Sequence, residues 1–212
     1  MKITKFGHCC LLIEEDGLRI LTDPGTYSEG QNEVKNIDVI LITHEHADHL
    51  HIDSLKKVLQ NNPQAKIITN KGVAKLLDKE GIGYTLLEDG QSIKEKGVRI
   101  EGFGTKHAAM YPGLPQADNT GYFIANRLFY PGDAFTDPNK PVDILALPAA
   151  GPWLKLSEAI DYAKAMKPKA CFPVHEGGLN APGTVYRIPP TILEPFGIKF
   201  IVLEIGKETD FD

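Results

Sequence analysis

The stretch Ile37-Asp38-Val39-Ile40-Leu41-Ile42-Thr43-His44-Glu45-His46-Ala47-Asp48-His49-Leu50-His51 joins a nearly continuous apolar run to a cluster of four histidines. A run this apolar over Asp38–Thr43 predicts a strand buried in the centre of a sheet. The cluster that follows is hard to explain as a solvated turn, because four ligand-type residues (His44, His46, Asp48, His49) fall within six positions at the exit of that strand. In extended backbone, residues i and i+2 point to the same side, so His44 and His46 can present two imidazoles to one point. Asp48 and His49 follow at the turn into the first helix and can face a second, nearby point. Neutral imidazole suits zinc, copper, iron and nickel, and carboxylate admits manganese. A metal takes three or four protein ligands, or fewer where water completes the shell. The cluster therefore needs partners from elsewhere in the chain.

Outward from this stretch, short β-runs rich in branched and aromatic residues predict strands at Lys2–Phe6, Cys9–Glu14, Leu18–Thr22, Lys66–Thr69, Val98–Gly102, Thr120–Ala125, Leu128–Pro131, Ile144–Leu147, Ala170–Val174 and Lys199–Glu204. Gly17 and Asn126–Arg127 read as hairpin turns. Helical stripes occur at Ile52/Leu55/Val58/Leu59, at Val73/Leu76/Leu77 before Gly81, and at Ala159/Ile160/Ala163/Met166, with Ser157 as the N-cap of the last. Strand pairs interleaved with single helices indicate α/β layers with much antiparallel sheet. Four segments read as long irregular loops: Asp23–Asn36, His107–Asn119, Pro148–Leu156 and His175–Pro189. Structureless loops of that length inside a compact domain are commonly functional.

Three of the missing partners stand at matching stations. His107 follows Val98–Gly102, Asp133 follows Leu128–Pro131 in Tyr130-Pro131-Gly132-Asp133-Ala134, and His175 follows Ala170–Val174. Like His44, each lies at a strand's exit, and strands sharing one direction would bring them to one edge. A carboxylate such as Asp133 has two oxygens and can bridge cations about 3.5–4 Å apart.

The pattern His44-x-His46-x-Asp48-His49, then His107, Asp133 and His175, resembles the ligand signature of the metallo-β-lactamase superfamily, with all seven positions filled. Within it, Phe6-Gly7-His8-Cys9-Cys10-Leu11-Leu12-Ile13-Glu14 and Leu21-Thr22-Asp23-Pro24 resemble the openings of the small ascorbate-6-phosphate-lactonase-like hydrolases, a group related to the N-acyl-phosphatidylethanolamine phospholipase D enzymes. The resemblance implies a four-layer αββα sandwich of two mixed sheets, an α/β fold, spanning residues 1–212 as a single domain. It also implies that His44, His46 and His107 hold one metal, that Asp48, His49 and His175 hold a second, and that Asp133 bridges them. Zinc suits five histidines and two aspartates best, with manganese and iron as the alternatives.

The chemistry expected of such a site is metal-dependent hydrolysis. Two close cations lower the pKa of a shared water from 15.7 to roughly 7, so the hydroxide itself is the nucleophile. Asp48 could orient it and shuttle a proton. The bond attacked is ester-like, in a lactone or a related small molecule. A phosphodiesterase or nuclease on the same fold, and a metal-binding protein without turnover, are the competing readings. His8 could hydrogen-bond a metal ligand or touch substrate, or be an ordinary edge histidine. Asp23 could orient a ligand histidine, or simply serve the Asp-Pro-Gly turn. Tyr111, Asn119 and Trp153 are loop residues that could line the pocket. Lys106 reads as solvated, His51 as a residue at the helix start, and at least one of Cys9 and Cys10 as plain core.

Composition narrows the rest. The 212 residues carry 23 basic and 28 acidic side chains, for a net charge of −5. That balance, with no polybasic run, speaks against nucleic acid and membrane surfaces as partners. The expected partner is a small-molecule substrate, and self-association into a homo-oligomer is left open. Three cysteines and no recognisable signal segment lead us to expect reduced thiols and a cytoplasmic location.

Overall fold

The computed structural model describes all 212 residues. The first half of the chain builds one sheet. β1 (Lys2–Gly7), β2 (Cys10–Glu15) and β3 (Leu18–Thr22) form an antiparallel meander, and β4 (Val39–Leu41) joins parallel to β3. α1 (Ile52–Asn61) crosses to β5 (Lys66–Thr69), and α2 (Lys71–Lys79) to β6 (Thr85–Leu86), both parallel additions. The second half builds the other sheet. β7 (Ser92–Glu95), β8 (Val98–Phe103), β9 (Gly121–Ile124) and β10 (Leu128–Tyr130) are antiparallel neighbours. β11 (Ile144–Pro148), α3 (Leu156–Met166), β12 (Ala170–Val174), α4 (Gly183–Leu193) and β13 (Lys199–Phe200) then extend it in parallel. β14 (Glu208–Asp210) returns to pair with β1, giving two sheets of seven strands each.

The side-chain alternation along the strands explains the layering. In β4 and the residues after it, Val39 and Leu41 enter the core between the sheets, whereas Ile40 and Ile42 face α1 and α2. Leu11 and Ile13 against Cys10 and Leu12 divide in the same way. The second sheet mirrors this: Ile144 and Ala146 face inward, and Leu145 and Leu147 face α3. Both faces of each sheet are thus buried, which is why the central runs are apolar without a polar partner. Leu55 and Val58 of α1 and Ala159 and Ala163 of α3 are fully buried against their sheets. Burial of a leucine or valine of this kind contributes about 1.5–3 kcal/mol. The αββα sandwich implied by the resemblance is the architecture found. No helix is long and apolar enough to cross a membrane.

The strand expected over Asp38–Thr43 is shorter, Val39–Leu41, and the structure departs further from the expected elements in four places. α4 lies where an irregular loop was expected over His175–Pro189; Pro189 and Pro190 sit inside it and hide its period. Interior prolines each remove a backbone bond, so packing of Val185, Pro189 and Leu193 holds the helix. β6, β7 and β14 are short, polar and largely exposed edge strands with no apolar signal. The strand expected over Lys199–Glu204 ends at Phe200. The cap of α3 is Lys155, not Ser157, and the Glu158 carboxylate accepts its backbone N–H at 2.7 Å.

The direction of the strands places the site. β1, β3 and β4 run parallel in one sheet, and β8, β10, β11 and β12 run parallel in the other. All seven leave their sheets at the same edge of the sandwich, the usual position for a site in such sheets.

Candidate metal centre

Six of these seven exits deliver a polar side chain. His8 follows β1, Asp23 follows β3, His44 follows β4, and His107, Asp133 and His175 follow β8, β10 and β12. His8, Asp23 and His175 have left-handed backbone, with φ of 50°, 34° and 69°. Such conformations are uncommon for these residues and gather at functional sites. Two glycines are required by close approach. A Cβ on Gly132 would lie 2.4 Å from Oδ1 of Asn119, and one on Gly25 would lie 1.7 Å from the Asp48 carbonyl. Gly132 lets the Asp133 loop close against Asn119, which accepts the Asp133 backbone N–H at 3.0 Å. Gly25 lets the turn after Asp23 pass under the histidine cluster.

Two histidine groups, His44, His46 and His107, and His8, Asp48, His49 and His175, each have ligand atoms within 4.8 Å of one another, and Cys9, His49 and Asp133 form a third group. Asp133 stands between the two histidine groups. Its Oδ2 lies 3.2 Å from Nε2 of His107 and 2.7 Å from Nε2 of His175, and its Oδ1 lies 3.1 Å from Nε2 of His49. Asp48 Oδ2 lies 3.4 Å from His175 Nε2. The structure thus brings all seven sequence-selected positions together, with His8 added to Asp48, His49 and His175 and with Asp133 beside Cys9 and His49.

Outer partners fix the tautomers. His107 Nδ1 donates to the Ala108 carbonyl at 2.6 Å, and His49 Nδ1 donates to Asp23 Oδ2 at 2.7 Å. Each leaves its Nε2 facing the centre, the arrangement by which ligand histidines are ordinarily oriented. Asp23 is fully buried and also accepts from the Thr43 backbone N–H at 2.8 Å, from the Thr43 hydroxyl at 2.7 Å and from the Tyr130 hydroxyl. Asp23 both shapes the turn and orients His49. His8 Nδ1 accepts the Gly177 backbone N–H at 3.0 Å, so its Nε2 carries the proton and faces Asp48 Oδ2 at 3.2 Å. His8 is therefore a donor to Asp48.

Burial and charge set the protonation states. Burial pushes His44 well below the usual imidazole range, and lowers His46 and His8. Burial opposes ionisation of Asp48 and Asp133, yet the surrounding histidines outweigh it and hold both carboxylates below their ordinary range. Burial likewise opposes charging of His175, but Asp133 and Asp48 raise it to about 10. His49 is raised well above its usual value by Asp133 against the same burial. His49 and His175 are thus the two imidazoles that favour positive charge, facing the buried Asp133 and the partly exposed Asp48.

The donor set fits divalent cations. His49 Nε2, Asp133 Oδ1 and His175 Nε2 are buried without a hydrogen-bond partner, although they lie close to one another. Buried polar atoms almost always have partners, so converging unpartnered ones point to a ligand.

Beside the centre lies a cleft of about 310 Å³ lined by His8, Tyr27, Asp48, Ala150, Gly151, Pro152, His175, Gly178 and Leu179. Of the loop residues, Trp153 is buried and donates its indole N–H to Asp133 Oδ2 at 3.0 Å. Asn119 is buried and ties the Asp133 loop through the Pro131 carbonyl at 2.9 Å. Tyr111 is exposed and outside the cleft. Lys106 turns to Asp118 at 2.6 Å. His51 caps α1 and bonds Ser54 Oγ at 2.9 Å. Tyr27, Tyr130 and Thr43 also belong to this surround. None stands in a pattern that marks it, because their roles come from packing across the two sheets.

The fold and this histidine–aspartate centre define a protein of the metallo-β-lactamase fold with a built metal site. The family described as Beta-lactamase superfamily domain matches residues 2–175, and the chain belongs to it. It is 37% identical over 181 residues to Protein Rv0786c of Mycobacterium tuberculosis, covering 83% of this chain and 84% of that one. It is 28% identical over 190 residues to UPF0173 metal-dependent hydrolase Ta0764 of Thermoplasma acidophilum, covering 82% and 83%. Its fold matches that of Igni18, a metallo hydrolase from Ignicoccus hospitalis, with a TM-score of 0.77 at 21% identity, covering 100% and 99% of the two chains.

Proposed function

We propose that this protein is a binuclear metal-dependent hydrolase that cleaves an uncharged ester-like bond, in a lactone or a related small carboxylic ester. The observation that carries the reading is the convergence of His49 Nε2, His175 Nε2 and Asp133 Oδ1, buried and without hydrogen-bond partners. His44, His46 and His107 would hold one cation, Asp48, His49 and His175 the other, with Asp133 shared between them. Bound there, divalent cations supply an activated water and stabilise the charge that develops on the substrate oxygen.

The chain's own residues do the rest. Asp48 is ionised, partly exposed and lines the cleft, so it can accept a hydrogen bond from the attacking water and orient it. His8 keeps that carboxylate turned inward through its Nε2–H. Trp153 holds Asp133 by its second oxygen. Tyr27, Pro152 and Leu179 form the apolar side of the cleft and would receive the non-reacting part of the substrate. No lysine or arginine lines the cleft, which favours an uncharged substrate over a phosphodiester or nucleic acid.

Two measurements test the reading. Mass-spectrometric metal analysis of protein purified without added metal should find two equivalents of divalent cation. None, with no uptake on soaking, would overturn the metal centre. The metal-loaded protein should hydrolyse members of a lactone panel in preference to bis-p-nitrophenyl phosphate. Turnover of the phosphodiester alone would make it a phosphodiesterase. No turnover with two cations bound would make it a metal-binding protein without catalysis.

A further inference from the structure

We propose that Cys9 supplies a thiolate donor to the cation position shared by His49 and Asp133, so that the centre has a soft sulfur ligand in its floor. This rests on the metal-centre reading above and adds to it a residue outside the seven ligand positions. Cys9 stands in the turn between β1 and β2. Its side chain falls on the same face as Leu11 and Ile13, at the top of the core between the sheets and directly beneath the strand exits. The side chain is almost wholly buried. Ligand atoms of Cys9, His49 and Asp133 all lie within 4.8 Å of one another.

A buried cysteine alone would be ordinary core. Here its two partners, His49 and Asp133, are themselves buried, and each has an atom without a hydrogen-bond partner, Nε2 in one and Oδ1 in the other. The other nitrogen of His49 is already committed to Asp23. The remaining cysteines are placed differently. Cys10 faces the core under α1 and α2, and Cys171 faces the core under α3. Neither joins a group of ligand atoms.

The chemistry balances simply. As the sulfur–metal bond forms, the S–H bond breaks and its proton leaves to water in the cleft; no electrons change hands. Sulfur is soft, so a thiolate at this position favours zinc over manganese, whereas histidine and carboxylate alone leave that choice more open.

The test uses the intact protein and Co²⁺ and Zn²⁺ as probes. Wild type and Cys10→Ala should show a near-ultraviolet thiolate-to-cobalt charge-transfer band. Cys9→Ser and Cys9→Ala should lose it while still binding cobalt, and their preference for Zn²⁺ over Mn²⁺ should fall by about 10–100-fold. X-ray absorption of the zinc-loaded wild type, which needs no variant, should show a sulfur scatterer at about 2.3 Å. Two bound cations with neither the band nor the sulfur scatterer would overturn the role of Cys9 and leave the metal centre standing. A band that survives Cys9→Ala would overturn it equally. A wild type that binds no cation at all would sink the metal-centre reading itself, and this inference with it.

Discussion

Trp153 donates its indole N–H to Oδ2 of Asp133, the carboxylate that stands between the two histidine groups. Its ring also lies edge-on to both groups, 5.7 Å from the His107 centroid and 5.9 Å from that of His175. One aromatic residue from the loop after β11 therefore braces this carboxylate and a histidine from each group. Trp153→Phe keeps the ring and removes the donor. We expect the protein to fold and its affinity for divalent cation to fall about 10–100-fold, the usual cost of losing a partner behind a metal ligand. Competition against a chelating dye measures it; an unchanged affinity would show that Trp153 only packs.

Asp23 is a heavily committed carboxylate, accepting from Thr43 twice, from His49 and from Tyr130. In Asp23→Asn the amide must turn an NH₂ toward groups that are themselves donors. Leaving one buried donor unsatisfied costs about 1–3 kcal/mol. Denaturant unfolding of metal-stripped protein should show that loss, and the loaded protein should bind cation more weakly because His49 loses its orientation. A variant as stable as wild type would mean that the network is not coupled to the fold.

Glu101 gives a pH dependence away from the centre. Burial would raise its pKa, but Lys140 at 2.7 Å and Arg99 at 2.8 Å lower it below the ordinary 4.5. A carboxylate whose folded pKa is depressed stabilises the fold above its unfolded pKa, and that contribution is lost as pH falls through the folded value. Both cations are partly solvated, so the contribution is about 1 kcal/mol. Glu101→Gln should be less stable than wild type at neutral pH, and the difference should close as the pH drops below 4.5. A gap that persisted in acid would show that packing, not charge, was lost.

Lys5 and Glu176 form an ion pair buried at both ends, and it anchors the chain just beyond His175. Lys5 also donates to the Pro173 carbonyl at 2.8 Å, and Tyr186 donates to Glu176 at 2.9 Å. Lys5→Met leaves a buried carboxylate alone and should cost about 3–5 kcal/mol in urea unfolding. Lys5→Met with Glu176→Leu removes both charges and should recover much of that loss. A double variant no better than the single would indicate that the pair is held for its geometry at the site.

Much of this molecule is legible before folding is considered. The runs at Leu18–Thr22, Lys66–Thr69 and Ala170–Val174 are strands with the bounds their composition indicates, because strands covered on both faces must be largely apolar. Edge strands carry no such requirement, and β6, β7 and β14 left no mark. α4 was hidden by its own prolines.

The site divides along the same line. Spacing in one strand and one turn marks His44, His46, Asp48 and His49, since local geometry alone makes them neighbours. His107, Asp133 and His175 could be named only as residues at strand exits, and their meeting depends on the parallel direction of β8, β10 and β12. Trp153 on Asp133, Tyr130 on Asp23 and Cys9 beneath His49 had no local signature, because each contact joins segments far apart in the chain. The chain by itself determined the ligand chemistry and the layered pattern, since both follow from residue type and short-range period. Only the tertiary structure decided which oxygens, nitrogens and sulfur share one point. That depends on how two independent sheets register against each other, which no local interaction controls.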